Sequence, residues 1–253
     1  TGPFIIDGLT NGTTYRISVA AVNDIDTGTF SNRVSAVPAT VPTAPRWLHG
    51  VRGNMSATLA WNPPLSNGGS AVLSYTVTDL HGHTCTTSTL TCTVTGLTNG
   101  TAYQWYVTAT NARGESPRSN ANTVIPATNP GLPTIVTAVG ANKSIVVTFT
   151  PPTQNGGAAL GYYDYSLTGG TTWLSGQYRT VGNVMTITGL VNGTAYQLSI
   201  RARNTVGPSA GTSTRTITPF GTPFAPVITS ATGISHGATI SFTAPNANGS
   251  AVT

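Results

Sequence analysis

The stretch that decides the fold is "GLTNGTTY" at residues 8–15, because it recurs as "GLTNGTAY" at 96–103 and as "GLVNGTAY" at 189–196. The two spacings between these copies are 88 and 93 residues. A second landmark, "NPPLSNGG" at 62–69, returns 88 residues later as "TPPTQNGG" at 150–157. Independent landmarks that agree on one spacing predict a tandem array of units of about 90 residues.

Local patterning inside each unit is typical of β strands. After the tyrosine of each landmark, apolar and polar residues alternate with a period of two, as in 103–109 and 196–202. Such alternation indicates a strand with one buried face, and the abundant threonine and valine suit a pleated surface. Asn-Gly and Pro-Pro pairs separate the apolar runs at short intervals. The sequence therefore predicts an all-β sandwich.

Four longer stretches carry a family resemblance: "LAWNPP" at 59–64, "NGGSAVLSYTV" at 67–77, "CTVTGLTNGTAYQWYVTATNARG" at 92–114 and "YYDYSLTGGTTW" at 162–173. Together they resemble the fibronectin type III family, in the form common in secreted bacterial proteins. The resemblance covers the whole chain. It implies tandem immunoglobulin-like, seven-stranded β-sandwiches, and the prolines between the units favour an arrangement as a rod.

The landmarks also predict where the units begin and end. Residues 44–131 and 132–224 form complete fibronectin type III domains in this interpretation. Residues 1–43 correspond to the C-terminal part of a domain, with its last three strands, and residues 225–253 to the N-terminal part of another. We expect the chain to be a window on a longer protein; completion of the partial units by neighbouring chains is the alternative.

The core follows from positions that recur at the same spacings. We expect a bulky residue between the two sheets of each unit, and a leucine and a tyrosine in a tyrosine corner, whose hydroxyl bonds to nearby backbone. These core residues are Trp61, Phe149 and Phe242, with Leu9, Leu97 and Leu190 and with Tyr15, Tyr103 and Tyr196.

Composition excludes several classes of function. Only 7% of the residues are charged, while 47 are threonine, and the net charge of +5 comes from arginines scattered along the chain. Nucleic-acid binding needs clustered basic residues, so we expect no nucleic-acid partner. No apolar run reaches the roughly 18 residues of a membrane span, so we expect none in this segment.

The two cysteines, Cys85 and Cys92, flank "TTSTLT" and are expected on adjoining strands. A disulfide between them is the favoured interpretation, and it implies an oxidising, extracytoplasmic setting. The alternative is a zinc site that combines both cysteines with His81 and His83.

The remaining polar and aromatic residues provide few sites. The six acidic residues are dispersed without the opposed geometry of a glycosidase pair, so we expect no enzyme activity and no cofactor in this segment. Tyr106, Tyr162 and Trp173 are expected to face outward and are the candidates for stacking on a sugar. Asp164 and Arg201 are expected to pair across neighbouring strands.

One loop resembles a cell-adhesion motif. Arg113-Gly114-Glu115 is expected between the sixth and seventh strands, where a related fibronectin module displays its integrin-binding tripeptide. Glutamate in place of aspartate misplaces the carboxylate, so a glycine-bearing hairpin loop is the favoured interpretation.

These expectations converge on a non-catalytic, extracellular role at the cell surface. The leading hypothesis is a structural or adhesive segment of a bacterial surface protein, fibre or filament that contacts like chains or other surface proteins. The alternatives are a spacer or carbohydrate-binding accessory region of a secreted polysaccharide-degrading enzyme, and a phage tail or capsid decoration protein.

Overall fold

A computed structural model of the chain describes residues 2–178 and 183–252. Within that part, the elements are nineteen β strands without an α-helix, and no helix there has the length and hydropathy to cross a membrane. The chain forms two compact units, Thr1–Ala127 and Thr128–Thr253.

The first unit contains a short strand pair and one sandwich. Its strands are β1 (Tyr15–Ile17), β2 (Val34–Ala36), β3 (Arg46–Gly53), β4 (Ser56–Asn62), β5 (Val72–Thr78), β6 (Thr84–Thr87), β7 (Thr91–Thr95), β8 (Tyr103–Asn111), β9 (Gly114–Glu115) and β10 (Asn122–Val124). β3, β4 and β7 form one antiparallel sheet, and β10, β8, β5 and β6 form the other, with β9 paired to β8. We call this sandwich repeat A.

The second unit contains a sandwich of the same topology and a hairpin. Its strands are β11 (Thr134–Ala141), β12 (Ser144–Thr150), β13 (Leu160–Ser166), β14 (Leu174–Tyr178), β15 (Val184–Thr188), β16 (Tyr196–Asn204), β17 (Arg215–Ile217), β18 (Val227–Ile234) and β19 (Gly237–Thr243). β11, β12 and β15 face β14, β13, β16 and β17. We call this sandwich repeat B, and the tandem all-β architecture agrees with the fold class that the sequence predicts.

Each sandwich has its own apolar core, which lies between the two sheets. In repeat A the indole of Trp105 is fully buried and Trp61 is 3% exposed. In repeat B, Phe149 is 1% exposed and packs against Tyr163, with ring centroids 4.5 Å apart. Alternate residues of the central strands supply these cores, because successive side chains of a strand point to opposite faces.

The tyrosine corner recurs three times. The hydroxyl oxygens of Tyr15, Tyr103 and Tyr196 accept hydrogen bonds from backbone N–H groups five residues upstream, at 2.9, 2.9 and 3.0 Å. Leu97 and Leu190 are buried beside two of these corners, while Leu9 is half-buried.

The terminal pieces are less enclosed. Within the described residues 2–43, the paired elements are the β1–β2 pair and an isolated bridge between Val22 and Thr27. β18 and β19 form a hairpin. The ring of Phe242, expected in a core, is 62% exposed because no second sheet covers this hairpin within the described part of the chain.

Candidate functional site

A disulfide joins Cys85 of β6 to Cys92 of β7, with the two Cα atoms 6.6 Å apart. Since β6 and β7 belong to different sheets, the bond fastens the two layers of repeat A to each other. Cys92 is 6% exposed and lies in the core cluster, against which Cys85 also packs. The zinc alternative is wrong because each sulfur is already bonded to the other.

The neighbouring histidines surround the carboxylate of Asp79, which the sequence pattern did not single out. The side chain of Asp79 is fully buried, and its Oδ2 lies 2.8 Å from Nδ1 of His83 and 3.4 Å from Nδ1 of His81. Both histidine backbone N–H groups donate to Oδ1 of Asp79. The signal was present as an Asp-x-His-x-His spacing. The segment is therefore a turn closed around one carboxylate.

The charge state of Asp79 follows from these contacts. Burial raises the pKa of the Asp79 carboxyl, but hydrogen bonds from the His83 side chain and from the N–H groups of His83 and His81 outweigh it. The pKa therefore lies below its ordinary value of 3.8. Among the residues that the structure describes, no group of three or more His, Cys, Asp or Glu could hold a metal ion.

The three aromatic residues expected to face outward are each covered by an arginine. The guanidinium of Arg118 lies over Tyr106 at 5.4 Å from the ring centroid, that of Arg201 over Trp173 at 4.3 Å, and that of Arg203 over Tyr162 at 5.7 Å. Such cation–π contacts stabilise a side chain on a sheet face and occupy one side of the ring. Tyr106 and Trp173 are half-buried, and only Tyr162 reaches 38% exposure.

Asp164 on β13 holds two of these arginines in place. Its Oδ2 accepts hydrogen bonds from Nε of Arg201 at 2.7 Å and of Arg203 at 2.8 Å, and its side chain is fully buried. The hydrogen bond to Asp164 raises the pKa of the Arg203 guanidinium above its ordinary value. The pair with Arg201 was expected, but Arg203 and the complete burial of the carboxylate were not.

Repeat A shows that the fold does not require this charged cluster. The positions that correspond to Asp164, Arg201 and Arg203 are Thr76, Thr108 and Thr110. The hydroxyl oxygen of Thr108 lies 3.3 Å from the backbone oxygen of Thr76, so a threonine occupies the place of the charged cluster between the same two strands. The cluster is therefore a local specialisation of repeat B.

The Arg113-Gly114-Glu115 loop is a tight hairpin. Gly114 and Glu115 form β9, which pairs with β8. Oε1 of Glu115 accepts a hydrogen bond from the Thr108 hydroxyl at 2.5 Å, so the carboxylate is tied back to the sheet.

The segments between repeats are hydrogen-bonded to the domains on both of their sides. Where a repeat ends, the backbone oxygens of Pro38, Pro126 and Pro219 each accept a bond of 2.9 Å from the N–H of the glycine in the preceding Asn-Gly turn. Where the next repeat begins, N–H of Thr40 donates to the oxygen of Gly68 at 2.8 Å. Only one residue separates the two anchor points in the first linker.

An asparagine side chain fastens the start of each complete repeat. Nδ2 of Asn111 donates to the backbone oxygens of Thr40 and Asn67, both at 2.8 Å. In repeat B, Nδ2 of Asn204 donates to the oxygens of Thr128 and Asn155 at 2.7 and 2.9 Å. Residue Asn111 is 3% exposed, so its amide groups need these partners.

Within the first unit, the linker also brings two loops into close contact. Gly69 has φ of +82°, and a Cβ added to it would collide with the backbone of Gly12. A glycine is therefore required at this junction by both the backbone conformation and the close approach.

The sequence profile of the fibronectin type III domain matches residues 43–125 and 129–218, which together are more than half of the chain. The chain belongs to the fibronectin type III family. Its fibronectin type III repeats are 30% identical over 244 residues to exoglucanase B of Cellulomonas fimi, covering 87% of this chain and 22% of that protein. They are 33% identical over 195 residues to chitinase A1 of Niallia circulans, covering 73% of this chain and 26% of that protein.

A further relative is endoglucanase B of Cellulomonas fimi, 35% identical over 166 residues, with 60% of this chain and 15% of that protein covered. The chain thus spans about a quarter or less of the length of these curated relatives. Among solved structures, the FN1–FN3 domains of chicken CNTN1 are 19% identical over 83% of this chain and 79% of that chain, with a TM-score of 0.41.

Proposed function

We propose that these fibronectin type III repeats are a non-catalytic, extracytoplasmic spacer in a secreted polysaccharide-degrading protein, and that they hold neighbouring domains at a fixed separation. The observation that carries the proposal is the anchoring of the linkers at both ends. A spacer has to keep the distance and orientation between its neighbouring domains fixed, and flexible linkers are where this geometry varies most.

The first linker, residues 38–40, is anchored to the domains on both of its sides. Pro38 is bonded to the turn of the domain before it, and Thr40 to a loop and a buried asparagine of the domain after it. With one residue between the anchors, few backbone rotations remain that change the angle between the two domains. Pro38 and Pro42, on either side of Thr40, remove further backbone freedom.

The relatives and the disulfide support the setting. Three relatives are named as an exoglucanase, an endoglucanase and a chitinase. A disulfide persists in an oxidising compartment, as outside the cell. The catalytic groups of such a protein would then lie in other domains.

A second candidate is the structural or adhesive surface array, in which the repeats contact like chains. The observation in its favour is the surface chemistry, since only 7% of the residues are charged and like chains would repel one another little. Sedimentation velocity over a range of concentrations separates the candidates: reversible self-association favours the array, and a constant monomer favours the spacer.

Distance measurement across the first linker tests the spacer proposal. Spin labels carried on non-natural amino acids replace Val19 and Val51, which are 67% and 64% exposed, and leave the disulfide untouched. Pulsed electron–electron double resonance should give one narrow distribution of distances between the two labels in the 253-residue chain. Asn111→Ala should broaden it, whereas the matched variant Asn204→Ala, in the other unit, should not. A broad distribution in the unsubstituted chain, or no effect of Asn111→Ala, would overturn the proposal.

A further inference from the structure

The side chain of Trp47 is the largest apolar group that repeat A exposes. It is 75% exposed, and its φ is +57°. A bulky residue in the left-handed region is an outlier that a fold retains only when the surroundings impose it. The indole adds nothing to the core, so at this position repeat A combines a left-handed backbone with an exposed aromatic ring.

The other sandwich shows what the fold does at this position by default. Ile135 occupies the place of Trp47 in repeat B, lies opposite Phe149 in the strand register, and is 6% exposed. The strand register shifts in both repeats, between Ile135 and Thr137 in repeat B and between Arg46 and His49 in repeat A. In repeat A, Leu48 packs against the core and Trp47 is exposed. Repeat A has therefore exchanged a buried residue for an exposed aromatic platform.

The platform forms the wall of a groove of about 560 Å³ between residues 44–48 and 118–120. Arg46 and Arg118 line it together with Ser119 and Asn120, and no acidic side chain does. Neither arginine forms an ion pair within the described residues. The groove thus combines an open aromatic face, two uncompensated guanidinium groups and small polar groups.

Each arginine is held in position by one contact. Nε of Arg46 donates to the backbone oxygen of Pro63 at 3.3 Å, and Arg118 lies over the ring of Tyr106. The remaining N–H groups of both guanidiniums are without a partner among the hydrogen bonds of the described chain. A planar guanidinium group with unpaired N–H groups can bind a carboxylate through two parallel hydrogen bonds.

We propose that the Trp47 groove binds an acidic polysaccharide, with the C–H face of one pyranose ring against the indole and a uronic-acid carboxylate on the guanidinium groups of Arg118 and Arg46. Aromatic faces pack well against apolar C–H surfaces while the ring hydroxyls stay solvated. The net charge of +5 adds a general attraction for a polyanion. The inference goes beyond the spacer role, and it holds or fails whether or not the linkers are rigid.

Repeat B provides an internal comparison. Its corresponding groove is lined by residues 132–135, 212, 213 and 215 and has a volume of about 250 Å³. The buried Ile135 gives it no platform, and Gly211 stands in the place of Arg118. Binding by the chain should therefore depend on repeat A.

Isothermal titration calorimetry of the 253-residue chain with hexagalacturonate and, separately, with cellohexaose tests the proposal. Hexagalacturonate should bind at low salt, weaken as sodium chloride is added, and bind more tightly than cellohexaose. Trp47→Gly should weaken binding at least about tenfold, and glycine accepts the left-handed backbone, so the fold is kept. Arg118→Gln should weaken hexagalacturonate binding and remove the preference for the acidic sugar.

Leu65→Ala is the matched control, because Leu65 is 78% exposed in the same repeat and outside the groove. Leu65→Ala should leave the affinity for hexagalacturonate unchanged. Each variant should also show a cooperative thermal unfolding transition, which establishes that it is folded. Absence of hexagalacturonate binding, equal binding of cellohexaose, or a Trp47→Gly variant that binds like the unsubstituted chain would each overturn the proposal. The spin-label distances are independent of all these outcomes, so failure of the groove and failure of the spacer are distinguishable.

Discussion

Removal of the Cys85–Cys92 disulfide should destabilise repeat A and leave repeat B unchanged. Cys85→Ser is the cleanest perturbation, because Cys92 lies in the core and keeps its buried volume as a free thiol. The cysteines are 7 residues apart. For so short a closed loop, the loss of loop-closure entropy in the unfolded chain corresponds to about 2.5 kcal/mol of stability. For a domain of this size, that loss lowers the midpoint of thermal unfolding by about 10–20 °C.

Hydrogen exchange followed by mass spectrometry resolves the two sandwiches in one sample. Peptides from β8 report on repeat A, and peptides from β16 report on repeat B, which has no cysteine. The free energy of exchange should fall for β8 by about 2.5 kcal/mol and stay constant for β16. An unchanged β8 would refute the loop-closure reasoning, and an equal fall in β16 would show that the two repeats do not unfold independently.

Three other changes follow from single contacts, each measured by urea unfolding of the whole chain. Tyr103→Phe should cost about 1–2 kcal/mol, because the backbone N–H of Thr98 loses its acceptor in a part-buried corner; an unchanged midpoint would contradict this. Asp164→Asn should cost about 2–4 kcal/mol in repeat B, because two arginines lose a buried anion, whereas exposed Asp24→Asn should cost nothing measurable. Hydrogen bonds hold the pKa of Asp79 below its ordinary 3.8, so its contribution is present above that pH and is lost as the pH falls through the folded pKa. Asp79→Asn should therefore lower the free energy of unfolding at pH 7, and the difference from the unsubstituted chain should vanish in strong acid. A difference that persists in strong acid would contradict the assignment of this stability to the ionised carboxylate.

The features that the sequence predicts well are local or repeated. The tyrosine corner connects groups five residues apart, so its landmark encodes the contact directly. The period-two pattern at 103–109 marks the buried face of β8, where Tyr103, Trp105, Val107 and Ala109 all lie in the core. Such patterns depend on strand geometry alone, which is the same in every sheet.

The features that the sequence does not predict are of two kinds. In one, either of two adjacent apolar residues could enter the core; in the other, side chains distant in sequence bury a polar residue. Trp47 and Leu48 are adjacent and both apolar, and the register shift between Arg46 and His49 interrupts the alternation that would otherwise assign one of them to the core. Asp164 lies on the outward face of its strand, yet it is fully buried because Arg201 and Arg203 lie over it. The alternating pattern tells which face of the sheet a residue lies on. It does not tell whether other side chains bury the residue on that face.

The two sandwiches together separate the features that both repeats use to maintain the fold from the features that each repeat carries alone. Both use the tyrosine corner and the asparagine that fastens the linker, although their sequences differ at many other positions. On the outer sheet face one presents threonines and the other an aspartate with two arginines, and the groove wall is Trp47 in one and the buried Ile135 in the other. The positions at which the repeats agree are explained by these contacts, which maintain the fold. Where the repeats differ, the shared sheet topology does not require the side chain of either one, and these positions are where a ligand of each repeat is to be sought.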